Sequence, residues 1–332
     1  MSTPSAMNEL QLSSTTHLTH VIEYCNELGI QWEEIAEQCF LPVDIENNRE
    51  WVRSDNLLQF VAILERRVNR NIGLDIGRRA TSSFQTFFNQ SLVGITSIEE
   101  ALKTLLKIMP KMNNHLSIWL EQIEGEYWLC HRKNRNPSSP GYAKIEWYNI
   151  FLFCTFLRAF YGHTWSPRKI KVMSIYNADA AYKYFPRSNI AFECDFSAIK
   201  VDDLTTTEGI HRVTTSGDIK QGITELVTSY ATLPWFTIEW FAKIMCTTPR
   251  TLQRYLRSQN LSFKQLKEQT RKECAIDLIT NTCMPIHDIA WRSGYNDLSN
   301  FNRAFKAWTG ESPSSFRATS KDSKAILDSL RC

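Results

Sequence analysis

The feature that most constrains this chain is a pattern that occurs twice within about its last hundred residues. Three apolar residues are repeated at an offset of 48 residues, as Ile238, Phe241 and Ala242 and then as Ile286, Ile289 and Ala290. A second set is repeated at an offset of 49 residues, as Thr248, Leu252, Arg254 and Leu256 and then as Asp297, Phe301, Arg303 and Phe305. Each copy predicts a short helix, a tight turn and a second helix with a capping residue at its start, which is the layout of a helix-turn-helix.

The second helix of each copy is predicted to bury one face and to leave the other free. Thr248 is the predicted N-cap in the first copy, ahead of Pro249; in the second copy Gly294 supplies the turn and Asp297 the cap. The free residues are Arg250, Thr251, Gln253, Arg254 and Arg257 in the first copy and Leu298, Ser299, Asn300, Asn302 and Arg303 in the second. Arg, Gln and Asn can form hydrogen bonds with base edges in a major groove. The same residue types also occur on ordinary exposed helix faces, where they form weak ion pairs. The repetition, with Arg at the equivalent place, favours base reading.

The segment between the two copies predicts a long connecting helix. Ser262-Phe263-Lys264-Gln265 fits a capping box, and an apolar stripe continues from there to Leu278. A helix from Ser262 to Thr282 has 21 residues and a length of about 30 Å. Successive major-groove faces on one side of B-DNA lie roughly 34 Å apart. The connector is therefore predicted to hold the two second helices in adjacent segments of the major groove.

The residues of both copies resemble the AraC/XylS family of transcriptional regulators. The resemblance covers Phe236 to Arg317 and rests on residues 290–295 (AWRSGY), 300–306 (NFNRAFK), 309–313 (TGESP) and 316–317 (FR), and on residues 248–254 (TPRTLQR), which are similar to the family's first recognition helix. It implies base or groove contacts from Arg250, Gln253, Arg254, Ser299, Asn300 and Arg303. Thr251 and Leu298, on the same free faces, complete the predicted DNA-binding set, with Thr248 and Asp297 as helix caps near phosphates.

Three positions depart from the family pattern. Cys246 and Asn260 stand where the family usually has a turn glycine, and Phe316 replaces the usual Tyr. Asn tolerates a positive φ angle and Cys tolerates it poorly, so mild strain is predicted in the first turn. None of the three removes a predicted reading residue.

The residues before the repeat predict a mixed α and β domain. Predicted helices are Ser54 to Arg67, a helix from the capping box at Ser97 to Pro110, and Trp147 to Tyr161; predicted strands are His115 to Leu120, Glu126 to His131 and Lys169 to Tyr176, the first two joined by a turn at Glu124-Gly125. Residues 73–77 (GLDIG), the helix from Ser97 and residues 192–196 (FECDF) resemble the arabinose-binding-like effector domain of some family members. This resemblance implies small-molecule binding and dimerisation.

Two groups of residues in this domain are candidate sites, and each also has a simpler interpretation. Trp147, Tyr148 and Phe151 are the candidate effector-binding residues, but an aromatic cluster at helical spacing is also typical of plain core. His17 and His20 lie three residues apart with no third ligand nearby, so no metal site is predicted.

Composition excludes several classes of protein. The nine cysteines are odd in number and form no C-x-x-C pair, no signal peptide is visible, and the longest apolar run is far shorter than a membrane span, which together predict a cytoplasmic protein. The net charge is +3, but residues 230–332 carry 15 Lys and Arg against nine Asp and Glu, which favours a polyanionic partner for the C-terminal part. A catalytic constellation for the rival class, an enzyme fused to a helix-turn-helix, is not found.

The sequence thus predicts an α+β N-terminal effector domain followed by an all-α C-terminal domain with two helix-turn-helix motifs joined by a long connector helix. The predicted segments are 1–210 for effector binding and dimerisation, 211–233 for a linker, 234–320 for DNA binding with helix-turn-helix units at about 238–257 and 286–307, and 321–332 for a tail. The predicted function is a sequence-specific DNA-binding transcriptional activator controlled by a small molecule, without a cofactor. Its expected partners are double-stranded promoter DNA, RNA polymerase and a second copy of the chain, with no membrane. The alternative is a regulator whose N-terminal domain only dimerises or docks a protein partner.

Overall fold

The computed structural model describes residues 10–42, 51–68, 71–133, 141–175, 178–207, 212–214 and 219–320. These residues form two compact units: an N-terminal unit drawn from residues 11–214, and a C-terminal unit of residues 219–320 together with Leu10. None of the helices in these ranges is long and apolar enough to cross a bilayer.

The N-terminal unit contains both strands and helices, and the C-terminal unit is helical, which confirms the predicted fold class at this level. The elements of the N-terminal unit are β1 (Leu12–Ser14), α1 (Thr15–Glu27), α2 (Glu33–Gln38), β2 (Trp51–Arg53), α3 (Ser54–Val68), α4 (Ile72–Ser91), α5 (Ile98–Ile108), β3 (Leu116–Ile123), β4 (Glu126–Lys133), α6 (Tyr142–Tyr161), β5 (Lys169–Lys171), α7 (Ala178–Tyr184), β6 (Asn189–Ala191), β7 (Ser197–Lys200) and β8 (Val213–Thr214). Those of the C-terminal unit are α8 (Ile219–Tyr230), α9 (Ile238–Ile244), α10 (Pro249–Ser258), α11 (Phe263–Asn281), α12 (Ile286–Arg292) and α13 (Leu298–Thr309), and residues 313–320 are also helical.

The larger described sheet of the N-terminal unit has the strand order β6-β5-β7-β4-β3-β8. Strands β5 and β6 are parallel, and the other neighbours are antiparallel. Its centre is the predicted β3–β4 hairpin, in which Glu124 and Gly125 have φ angles of 52° and 80°. Two positive φ angles give a two-residue turn whose twist matches that of the flanking strands. Strands β1 and β2 form a separate antiparallel pair.

Helices α4 and α6 pack against each other because two glycines of α4 allow a close approach. A Cβ atom on Gly73 would lie 2.1 Å from the carbonyl oxygen of Lys144, and one on Gly77 would lie 2.7 Å from the ring of Phe151. A side chain at Gly73 would have to displace the backbone of α6, and one at Gly77 would have to displace the Phe151 side chain. These are the two outer residues of the GLDIG segment, so this part of the motif has a packing role.

The predicted elements of this unit are present with shifted boundaries. Ser97 accepts a hydrogen bond from the Glu100 amide at 3.1 Å, which confirms the N-cap of α5. Helix α6 begins at Tyr142, five residues before the predicted start. Strand β5 ends at Lys171 rather than continuing toward Tyr176, which itself lies outside the described residues.

The early end of β5 has a physical cause in the buried carboxylate of Glu146. The backbone amides of Met173 and Ser174 donate to this carboxylate at 2.6 and 3.2 Å. Donors that a longer strand would direct to a neighbouring strand are therefore directed to a side chain. A pattern of alternating residues cannot reveal this competition, because Glu146 lies on a distant helix.

The C-terminal unit extends further toward the N-terminus than its repeated pattern indicates. Helix α8 lies within the predicted linker 211–233, and it packs on α11 with Leu226, Val227 and Tyr230 buried. Around α9, an aromatic cluster joins Tyr230, Phe236, Trp240, Phe241 and Phe263. A second core, between α11, α12 and α13, is built from Ala275, Ile279, Ile289, Ala290, Phe301 and Phe305.

Candidate nucleic-acid interface

The first pair of helices, α9 and α10, is fixed by caps and by a left-handed turn. Thr237 caps α9 by accepting a hydrogen bond from the Trp240 amide at 3.3 Å. After α9 the chain reverses at Cys246, whose φ angle is +49°. Asn260, beyond α10, has a φ angle of +56°. The two positions predicted to replace turn glycines therefore do adopt the left-handed conformation, which is the less favourable one for Cys.

Helix α10 presents one buried and one exposed face. Thr248 caps it by accepting from the Thr251 amide at 3.2 Å, and Pro249 occupies the first turn. Leu252 and Leu256 are buried, as their spacing predicts. The opposite face exposes Arg250, Gln253, Arg254 and Arg257, while Thr251 is half-buried with its hydroxyl bonded to that of Thr248.

Helix α13 repeats this arrangement in the second pair. Asp297 caps it by accepting from the Asn300 amide at 2.7 Å, and Phe301 and Phe305 are buried. Its exposed side chains are Leu298, Ser299, Asn300, Asn302 and Arg303. Arg303 donates to the side-chain oxygen of Asn300, so these two predicted reading residues are brought together.

The exposed arginines of α10 are not neutralised by neighbouring acids. Within residues 219–320 no ion pair involves Arg250, Arg254 or Arg257. The capping threonine carries no charge, and Pro249 lacks an amide hydrogen. The face therefore offers cationic side chains and an amide, Gln253, to a partner without first breaking a salt bridge.

Helix α11 is fixed to the first helices of this unit by two half-buried cations. The Arg271 guanidinium donates to the carbonyl oxygens of Ala231 at 2.8 Å and Leu233 at 3.2 Å, and it lies 5.0 Å from the ring centre of Tyr295. Lys267 donates to the carbonyl oxygen of Phe236. Burial, with the nearby charge of Arg271, lowers the pKa of Lys267 to about 8. Neither cation is predicted from the sequence, because the pattern of α11 indicates only a spacer with an apolar stripe.

The turn of the second pair meets the same guanidinium. Gly294 has a φ angle of +87°, and a Cβ atom there would lie 2.7 Å from the Thr232 carbonyl oxygen and 2.8 Å from Arg271 Nη2. Arg271 thus contacts the segment after α8 and the turn between α12 and α13. This contact fixes the second pair relative to α11 and α8.

The three candidate effector residues occupy different environments. Tyr148 lines a small cavity and its hydroxyl is 2.8 Å from Nδ1 of both His17 and His20. Trp147 is fully buried and stacks on Phe185. Phe151 also packs on Phe185. Only Tyr148 of the three reaches the cavity, so the effector role of these residues remains a prediction.

The cavity contains two polar residues that the sequence pattern does not indicate, Lys133 and Asn149. Both are buried, and they line the cavity together with Tyr148 and the buried His17. A signal was available in β4, where Lys133 and His131 lie two residues apart and therefore on one face of the strand. A charged residue that faces inward from a strand requires a polar partner, so this pattern indicates a buried polar site. Across the described residues, no group of three metal-ligating side chains occurs.

The matches to a family model and to the regulators named below cover about a quarter to a third of the chain. Residues 241–319 match the model of a helix-turn-helix domain. The chain is 40% identical over 80 residues to the ornithine utilization regulator of Pseudomonas aeruginosa, which is 24% of each chain. It is 33% identical over 103 residues to the urease operon transcriptional activator of Escherichia coli, which is 31% of this chain and 34% of the relative. It is 37% identical over 84 residues to the arabinose operon regulatory protein of Escherichia coli, which is 25% of this chain and 29% of the relative.

These similarities define the class of the C-terminal part. Residues 241–319 form a helix-turn-helix domain of the AraC/XylS type, which confirms the resemblance seen in the sequence. The chain covers between about a quarter and a third of the length of these relatives. The names of these relatives are those of transcriptional regulators, and the residues that match the family model lie within the C-terminal unit.

Proposed function

We propose that this protein is a sequence-specific DNA-binding transcriptional regulator. The observation that carries the proposal is the pair of capped helices, α10 and α13, each with a buried apolar face and an opposite face exposing Arg with Gln or Asn. Both helices lie within the residues that match the helix-turn-helix model. Such side chains can form paired hydrogen bonds with guanine and adenine.

The proposed mechanism uses two helix-turn-helix units, α9–α10 and α12–α13, held apart by α11. Helix α11 has 19 residues and is therefore about 28 Å long, close to the roughly 34 Å between successive major-groove faces. Its fixed contacts through Arg271 support a defined spacing. Arg250, Thr251, Gln253 and Arg254 would read one groove segment and Leu298, Ser299, Asn300 and Arg303 the next, with the caps Thr248 and Asp297 near phosphates.

The proposal extends to regulation by a small molecule bound in the N-terminal unit. The mixed α and β architecture of that unit and its small internal cavity are compatible with an effector domain. In this proposal the protein is an activator that acts on RNA polymerase as a dimer, with two copies of the chain on two half-sites. The second candidate, an N-terminal unit that only dimerises or docks a protein, differs in requiring no ligand.

Selection of bound duplexes from a randomised DNA pool tests the central claim, because the operator sequence need not be known. Enrichment of one motif by the full chain is expected. Enrichment of no motif, with binding that depends on salt alone, would contradict sequence reading. Ultracentrifugation of the full chain with a selected duplex then tests the dimer, since a monomer on a single half-site would exclude the two-copy arrangement.

The reading residues give a sharper prediction. Arg254→Ala and Arg303→Ala are each expected to weaken binding to the selected motif by about 1–3 kcal/mol, because each removes donors to bases or phosphates. The measurement is a gel-shift titration with circular dichroism to verify folding. Lys264→Ala is the matched control, since Lys264 is an exposed cation of α11 outside both reading faces. Equal losses of affinity in all three variants would mean that the arginines contribute only through their positive charge and not through contacts to particular bases.

A further inference from the structure

The cavity in the N-terminal unit is lined by both polar and apolar side chains. It has a volume of about 30 Å³, about the size of one water molecule in the liquid. The polar lining residues include His17, Lys133, Asn149 and Tyr148, and the apolar ones are Val21, Leu57, Val61, Ile76 and Ile145. A second cation at the cavity, Lys144, is already paired with Glu65 at 2.7 Å. All of these residues belong to the same compact unit.

Lys133 is the unusual member of this lining, because it is a buried cation for which the described residues provide no hydrogen-bonded counter-ion. Its side chain is 7% exposed, and its ammonium group forms no hydrogen bond or ion pair within the described residues. A buried charge is costly unless it is paired and hydrogen-bonded. Burial lowers the pKa of Lys133 to about 7, an effect that the charge of Glu146 partly opposes.

Glu146 does not serve as that counter-ion, since its carboxylate is already engaged. It accepts hydrogen bonds from the amides of Met173 and Ser174 and from the hydroxyls of Ser174 and Ser197. The histidines near Lys133 supply no negative charge either. Burial, with smaller contributions that include the charge of Lys133, lowers the pKa of His17, His115 and His131 to about 3.

We propose that this cavity binds a small aliphatic carboxylate, whose carboxylate group pairs with Lys133 and whose body lies among the apolar side chains. The anion would supply the counter-ion that the described residues do not provide, and the Nε2 atom of His17, which has no hydrogen-bond partner among them, offers a further hydrogen bond. The cavity has room for little more than the carboxylate group, so the ligand body must displace apolar side chains of α1, α3, α4 and α6 that line it. This deepens the proposed function, because it assigns a chemical class to the effector.

Calorimetric titration of the full chain with butyrate tests the proposal, with butyramide as the neutral isostere. Saturable butyrate binding and no butyramide binding are expected. Lys133→Met should abolish the binding of butyrate, whereas Lys107→Met, which removes an exposed cation of α5 outside the cavity lining, should retain it. Lys133→Met should fold, because it removes a buried charge and shortens the side chain by only one atom.

The pH dependence provides a second readout that needs no variant. The groups that face Lys133 are His17 from α1, His115 ahead of β3, His131 from β4 and Glu146 from α6. The three histidines stay neutral above pH 6, so Lys133 is the cation that loses its charge as the pH rises. If binding requires the ammonium form, the affinity at pH 8.5 is expected to be about 30-fold weaker than at pH 6.

Three outcomes would overturn the proposal: equal binding of butyrate and butyramide, butyrate binding retained in Lys133→Met, or no butyrate binding by the wild-type chain. Gel shifts of the wild type and Lys133→Met with the selected duplex distinguish this failure from that of the proposed function. If both proteins bind DNA and neither binds butyrate, only the proposal of a carboxylate site is contradicted. If the wild-type chain binds butyrate but selects no DNA motif, only the proposal of a transcriptional regulator is contradicted.

Discussion

Two turn positions that are equivalent in the repeated pattern, Cys246 and Gly294, are under different physical constraints. Both have positive φ angles, +49° and +87°. Only at Gly294 do neighbouring atoms also leave no room for a side chain, because the Thr232 carbonyl oxygen and the Arg271 guanidinium lie against it. The Cys246 side chain is exposed, so its turn tolerates a non-glycine residue at the cost of backbone strain alone.

Cys246→Gly is therefore expected to stabilise the C-terminal unit, by up to about 1 kcal/mol. Removal of the Cβ atom relieves the left-handed strain, and the greater backbone entropy of glycine in the unfolded chain offsets part of the gain. The measurement is the shift of the corresponding transition in scanning calorimetry. Cys246→Ala is the control, because it removes the thiol and keeps the Cβ atom; a gain in this variant as well would assign the effect to the thiol.

Gly294→Ala is expected to destabilise the same unit by at least about 2 kcal/mol, because it adds a backbone clash to the strain of a positive φ angle. Gly310 is the matched control: it caps α13 with a φ angle of +84°, and a Cβ atom there would meet nothing within 4 Å. Gly310→Ala should therefore lose about 1 kcal/mol, from strain alone. Equal losses of stability for the two variants, measured by calorimetry, would mean that the Arg271 side chain and the Thr232 backbone move aside at little energetic cost.

At the scale of elements, two long helices of the N-terminal unit show how packing overrides propensity. An interior glycine weakens an isolated helix by about 1 kcal/mol relative to alanine. Helix α4 nevertheless has Gly73 and Gly77 on the face that meets α6. Propensity alone predicts that replacing either one by alanine would stabilise the helix.

Because both glycines contact α6, alanine is expected to destabilise the helix at each position, and by different amounts. Gly73→Ala should lose at least about 2 kcal/mol of stability, because its Cβ atom would meet the Lys144 backbone, which cannot move without α6. Gly77→Ala should lose less, because its Cβ atom would meet the Phe151 side chain, which can adjust. Urea denaturation of the full chain, followed by circular dichroism, measures both variants. A gain in stability for Gly73→Ala would contradict the close approach of the two helices.

At the scale of the whole molecule, the division of the chain lies ahead of α8. The repeated pattern starts near Ile238, but α8 buries Leu226 and Tyr230 in the C-terminal unit. Arg271 also takes its backbone acceptors from Ala231 and Leu233, which follow that helix. A boundary at Pro234 would therefore remove part of the core and would leave a half-buried guanidinium without these acceptors.

We accordingly expect a fragment of residues 218–320 to fold and to bind the selected DNA, and a fragment of residues 234–320 to be less stable by at least about 3 kcal/mol. Thermal melts of the two fragments measure the difference, and gel shifts measure DNA binding. Affinity of the longer fragment should fall steeply with salt, as phosphate contacts require. Equal stability of the two fragments would mean that α8 only rests on the surface of the unit.

The sequence by itself determined the local features of the C-terminal unit. The caps at Thr248, Ser262 and Asp297 and the buried faces of α10 and α13 follow from residue type and helical period, because both act within a few residues of the chain. The backbone acceptors of Arg271, the lack of room for a side chain at Gly294 and the burial of Lys133 appear only in the tertiary structure. Each of these features depends on atoms more than ten residues away, and no local period records which distant group will lie against a side chain.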